Sequence, residues 1–135
     1  MSETAATPPP GEYRVLVVDD DPDMVAYLEM LLRKQGMQVE TASGGREAIA
    51  HVAARSPDLV LCDVMMPDIG GMDVYESVRR ARPELESRFA FVTGGAFTRR
   101  ARGFLASVDL PCLDKPLDLA ALEALVLRAP SRVKR

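Results

Sequence analysis

The chain has 135 residues, 47% hydrophobic and 27% charged, which is enough for one globular domain and excludes a wholly disordered chain. Its formal net charge of −3 makes no electrostatic case for binding nucleic acid. No apolar run approaches the ~20 residues of a membrane-spanning helix.

Residues 1–12 are small, polar and proline-rich, the composition of a flexible leader. They lack the basic and apolar regions of a signal peptide, so a cytoplasmic protein is expected. The folded domain is placed at 13–129, and residues 130–135 form a short basic tail. "RVLVV" is a continuous β-branched run, as expected of a strand covered on both faces. A helix follows from about Pro22 to Gln35, with Asp21 as its cap, Val25, Leu28 and Leu32 as its inner stripe, and Gly36 as its stop. "MQVET" is a second strand and "GREAIAHVAARS" a second helix, with Ala48, Ile49 and Val52 inward. "DLVLCD" is a third strand, again apolar and again ending in aspartate. "MDVYESVRRAR" is a third helix ending near Pro83, and "RFAFVTGG" is a fourth strand running into a glycine turn. "TRRARGFLAS" is a fourth helix capped by Thr98, and "PCLDKP" holds a short fifth strand. "LDLAALEALVLRA" is the last helix, with Asp118 as its cap. The cysteines, Cys62 and Cys112, lie in apolar runs without a framework spacing and read as reduced core residues.

Regular β-α alternation implies a parallel sheet with helices on both faces. In such sheets a site forms beyond the carboxyl ends of the strands. Strand one ends in Asp19 and Asp20, strand three in Asp63, strand four in Thr93 and strand five in Lys115. Taken singly, each reads as a cap, a turn former or a surface residue. Together they bring three carboxylates, a hydroxyl and an ammonium to one edge. Two carboxylates ~4 Å apart repel by roughly 4 kcal/mol at an effective dielectric near 20, so the acidic run asks for a cation. Oxygen donors without His or Cys favour Mg²⁺ or Mn²⁺. An aspartate can attack phosphorus, and phosphoryl transfer then needs mainly positioning and charge neutralisation.

The motifs "VLVVDDDP", "LVLCDVMMPDIGG", "FVTGG" and "LDKP", in this order from about Arg14 to Arg128, resemble the receiver domain of two-component response regulators. The resemblance implies a flavodoxin-like, doubly wound five-stranded parallel sheet of strand order 2-1-3-4-5 with five helices. It implies Asp63 as phosphoacceptor, Thr93 as a hydrogen-bond partner of the phosphoryl group, and Lys115 as the partner of Asp63 or its phosphate. Mg²⁺ would be held by Asp20 directly, by Asp19 largely through water, and by Asp63 and the backbone carbonyl of Met65. The Lys115–Pro116 bond would be cis. The phosphoryl donor would be a histidine kinase or a histidine phosphotransfer protein, and the chain would be no enzyme beyond autocatalysing its own phosphotransfer and dephosphorylation. Phosphorylation would switch the face made by the fourth helix, fifth strand and fifth helix. With only a short tail after Arg128, output by protein–protein contact or onward phosphotransfer is expected.

One departure stands out: Cys112 occupies the position, three before the lysine, where receivers usually carry Tyr or Phe. The "TGGAFT" loop with Phe97 is the expected mobile substitute. Met65 and Gly95 stand where the family tunes phosphate lifetime. His51, with no acidic triad partner evident, reads as a surface or boundary residue rather than a phosphotransfer histidine. Arg99, Arg100 and Arg102 read as a solvated face or a docking surface. The last helix, with Leu117, Leu119, Leu122, Leu125, Val126 and Leu127, carries more apolar surface than one stripe needs, as a homodimer or partner contact, or a deeply covered helix, would. Two rivals remain: an aspartate-nucleophile phosphatase, disfavoured because its second acid would fall at Met65, and a phosphorylation-independent interaction module.

Overall fold

The computed structural model describes residues 13–94, 98–115, 117 and 119–128. Five strands, β1 (Arg14–Val18), β2 (Gln38–Ala42), β3 (Leu59–Asp63), β4 (Phe89–Thr93) and β5 (Cys112–Asp114), alternate with helices α1 (Pro22–Lys34), α2 (Gly45–Ala54), α3 (Gly71–Ala81), α4 (Arg99–Ser107) and α5 (Leu119–Arg128). All pairings are parallel, in the order β2-β1-β3-β4-β5. The expected flavodoxin-like architecture is therefore the observed one.

Period-two alternation along the strands divides the interior into two apolar compartments. Val15 and Val17, Leu59 and Leu61, and Ala90 and Val92 face Leu28, Leu31 and Leu32 of α1 and Leu122 and Leu125 of α5. Leu16 and Val18, Val60 and Cys62, and Phe89 and Phe91 face α2, α3 and α4. In this second compartment Tyr75 meets Phe89, Phe91 and Phe104 edge-on, with centroids 5.3, 5.9 and 5.5 Å away. On α1 the buried stripe is Leu28, Leu31 and Leu32, while Val25, expected inward, is half-buried nearer the site.

Local signals account for the element ends. The Asp21 carboxylate accepts from the Asp23 amide at 3.0 Å and caps α1, and Pro22 fills its first position. Gly36, at φ 86°, turns the chain out of the helix in a conformation that costs glycine little. Thr98 caps α4 by accepting from the Ala101 amide.

The sequence reading lacked one element, a 3-10 helix at Pro83–Arg88. Pro83 forces Arg82 out of helical geometry (φ −141°, ψ 79°), which ends α3. Leu85 then docks with 0% exposure, and full burial of a leucine contributes about 1.5–3 kcal/mol, enough to order one short turn. A polar run such as "PELESR" shows no periodicity that would announce this. Arg82 ties the same corner to α2, donating to the carbonyls of Val52 and Arg55 and to the Ser56 hydroxyl.

Candidate functional site

Beyond Val18 the backbone remains tied to β2, because the Asp19 amide donates to the Ala42 carbonyl at 3.2 Å. Asp19 is buried (2% exposed) while Asp20 is exposed. The turn into α1 uses Asp19 as well: its Oδ1 accepts from the Asp21 amide at 2.9 Å. The three consecutive aspartates thus differ: Asp19 is buried and ties the turn, Asp20 is exposed, and Asp21 caps α1. Asp63, the last residue of β3, is 6% exposed, and its Oδ1 accepts from the Met65 amide at 3.2 Å. Thr93, the last residue of β4, is 2% exposed, and its carbonyl receives the Lys115 amide at 2.8 Å. That bond sets Lys115 at the sheet edge with its side chain directed inward. Lys115 Nζ lies 3.0 Å from Asp19 Oδ2 and 3.4 Å from Asp63 Oδ2, so one ammonium bridges two carboxylates.

Burial, then the charge of Asp19, push the Asp63 carboxyl up to about 6; the Lys115 ammonium and the Met65 amide act the other way without cancelling them. Burial pulls the Lys115 ammonium down, but its hydrogen bond to Asp19 and the two carboxylate charges outweigh this and raise it. Lys115 is therefore a fixed positive charge at neutral pH. One ammonium against three carboxylates leaves the site negative. Asp19, Asp20 and Asp63 each offer one oxygen, and these oxygens all lie within 4.8 Å of one another. Ligands at ~2.0–2.1 Å from Mg²⁺ stand up to ~4.2 Å apart across its octahedron, so a slight contraction would seat that ion in this all-oxygen set.

The loop after β3 is closely packed. A Cβ on Gly71 would stand 2.5 Å from the Asp63 carbonyl oxygen, and one on Gly45 would stand 2.5 Å from the Ile69 carbonyl oxygen. Glycine at 71 lets α3 start directly against the strand that carries Asp63. Asp68 adopts φ 69°, a left-handed conformation that aspartate tolerates better than most residues, and its carboxylate meets Arg46 Nε at 2.8 Å. This short path from Asp63 to α3 holds Met65 beside the phosphoacceptor candidate, with the Met65 side chain 40% exposed.

A family model for the response regulator receiver domain matches residues 15–127. The chain belongs to this family. Its curated relatives include the probable transcriptional regulatory protein TcrX of Mycobacterium tuberculosis, 36% identical over 121 residues that cover 90% of this chain and 50% of that protein. The chain spans about half the length of the curated relatives it matches. Among solved structures, the chemotaxis protein CheY4 of Vibrio cholerae superposes with a TM-score of 0.75 at 25% identity, covering 87% of this chain and 98% of that one. The response regulator TrrA of Thermotoga maritima, solved in complex with Mg²⁺-BeF, superposes with a TM-score of 0.70 at 27% identity over 87% and 98% of the two chains. Among the described residues, no helix of this receiver domain is long and apolar enough to cross a membrane.

The receiver fold brings Asp19, Asp20, Asp63 and Lys115 into one cluster, with Thr93 at the adjoining strand end. One sequence reading needs revision. Cys112 is exposed rather than in the core, because β5 is an edge strand of three residues with β4 as its sheet neighbour. His51 is half-buried, the boundary position expected, with its Nε2 2.6 Å from Glu40 on β2, which also holds Arg55 at 3.1 Å. Neighbouring strand and helix residues can meet across a sheet edge with no periodicity in the sequence to show it. Arg100 pairs with Asp73 at 3.4 Å, while Arg99 and Arg102 are exposed. Gly95, Phe97, Asp118 and the Lys115–Pro116 bond lie outside the described residues, as do the side chains of Leu119, Val126 and Leu127.

Proposed function

We propose that Asp63 is the phosphoacceptor of this receiver domain and that its phosphorylation requires Mg²⁺. The observation that carries this reading is the bridged Asp63 carboxylate, buried at a strand end beside Asp19 and Asp20 and held by Lys115. In its ionised form Asp63 attacks phosphorus; the bond from phosphorus to its leaving group breaks, and an acyl phosphate remains on the carboxylate. Asp19, Asp20, Asp63 and the Met65 carbonyl would hold the cation, which supplies charge neutralisation at the phosphoryl oxygens. Lys115 supplies a second positive charge, and the Thr93 hydroxyl donates to the phosphoryl group. The same residues serve hydrolysis of the acyl phosphate, so no separate enzymatic activity is needed.

The donor fitting this acceptor is a histidine kinase or a histidine phosphotransfer protein, and the output is protein–protein contact at the α4–β5–α5 face, with a homodimer as one form. A phosphatase reading has less support, because the Met65 side chain offers no acid.

Incubation of the purified protein with Mg²⁺ and phosphoramidate, or with Mg²⁺ and beryllofluoride, tests this. A phosphorylated mass that disappears in Asp63→Asn, with matching amide shifts under beryllofluoride, is expected. Absence of any Asp63-dependent adduct would favour the phosphorylation-independent module instead.

A further inference from the structure

Lys115 acts at the site from the least supported strand. β5 is three residues long and sits at the sheet edge, and Pro116, which has no amide hydrogen, follows at once. A five-bond side chain must nevertheless place its ammonium 3.0 Å from Asp19 and 3.4 Å from Asp63. The backbone on the strand side is fixed by the Lys115 amide donating to Thr93. On the far side, the Tyr27 hydroxyl donates to the Leu117 carbonyl at 2.7 Å, joining residues 90 apart in sequence. Leu117 itself is buried (3% exposed) in the compartment shared with α1. Tyr27 stands on α1, the same helix whose first turn is entered through Asp19, Asp20 and Asp21. One rigid element thereby follows the acidic pair directly and meets the lysine loop about one and a half turns into its length.

We infer that Tyr27 is a positioning residue for Lys115, setting the distance between the ammonium and the carboxylates through the Leu117 carbonyl. The inference rests on the phosphoacceptor reading only for its kinetic effect. Tyr27 is 37% exposed, so water competes for its hydroxyl and the bond adds little to global stability. Its consequence is local, in the placement of one charge.

Tyr27→Phe keeps the ring and removes the donor. In native-state hydrogen exchange, the Lys115 amide should lose protection in this variant while the β1 and β3 amides keep theirs; unchanged protection at Lys115 overturns the latch. That measurement needs no phosphorylation, so it separates failure of the latch from failure of the phosphoacceptor reading. Kinetically, phosphoramidate with Mg²⁺ should phosphorylate Tyr27→Phe about fivefold more slowly than the parent, the rate equivalent of one neutral hydrogen bond. In a Lys115→Ala background the same substitution should change the rate no further, because its route of action is gone. Equal slowing in both backgrounds, or none in the parent, overturns the proposal. If the parent itself takes no phosphoryl group, the phosphoacceptor reading fails while the exchange result still decides the latch.

Discussion

Strands β3 and β5 are built from nearly the same residues, "LVLCD" and "CLD", yet they end as different objects. β3 lies between β1 and β4, and all five of its residues are buried; Cys62 is 0% and Asp63 6% exposed. β5 lies at the edge, and both Cys112 and Asp114 are exposed. The same two residue types thus give a buried thiol and a desolvated, raised carboxylate in the centre, but an exposed cysteine and an exposed aspartate at the rim. Chemical distinctiveness here comes from the neighbours that a strand is given, not from its composition. The arrangement also puts the site's carboxylates at the ends of well-supported strands and the lysine just past the weakly supported one.

The sharpest way to break this comparison is to exchange the acids. Asp63→Asn should abolish phosphoryl uptake altogether, whereas Asp114→Asn should leave it intact; intact-protein mass after phosphoramidate treatment distinguishes the two. Next in size, Gly71→Ala drives a Cβ against the Asp63 carbonyl at the packed exit of β3. It should cost about 1–3 kcal/mol in urea unfolding, the range for overpacking a tight contact.

The pH dependence follows from the central location. Asp63 titrates near 6 in the folded protein against 3.8 as an ordinary carboxyl, so the folded state holds the proton more tightly. Its contribution to stability is fully present below 3.8 and is lost as pH rises through 6. Without metal, Asp63→Asn should therefore be more stable than the parent at pH 8, by at most roughly 2–3 kcal/mol, and the gap should close as pH falls to 4. Saturating Mg²⁺ should reverse the sign, since the ion stabilises the ionised parent; thermal melts across pH with and without Mg²⁺ test both halves. Smallest are the thiols. Cys62→Ser should cost about 1–2 kcal/mol, partly offset by the nearby Asp63 carbonyl, while Cys112→Ser should stay within about 0.5 kcal/mol.

Much of this was legible from the chain alone because strand ends in a parallel sheet are countable. Asp19, Asp20, Asp63, Thr93 and Lys115 each stand at or just past the end of a strand run, and topology then delivers them to one edge. The Asp21 cap and the Gly36 stop were legible for the same reason, since both depend on residues within four positions. Long-range placement was not. Nothing in "CLD" distinguishes an edge strand from a central one, which is why Cys112 was expected in the core. The Glu40–His51 pair and the Tyr27–Leu117 bond join separate elements, and the docking of Leu85 depends on the shape of a pocket that other elements build. Periodicity reports which side of an element is inward, and it carries no information on what waits there.

The aromatic cluster has a practical corollary. The chain contains no tryptophan and three tyrosines. Tyr13 is buried beside β1, Tyr27 bonds to the lysine loop, and Tyr75 lies among Phe89, Phe91 and Phe104 under α4. Near-ultraviolet dichroism of the unlabelled protein therefore watches three well-separated points. A signal change on adding beryllofluoride that survives Tyr27→Phe but vanishes in Tyr75→Phe would locate the optical response beneath α4, with no dye or engineered tryptophan introduced.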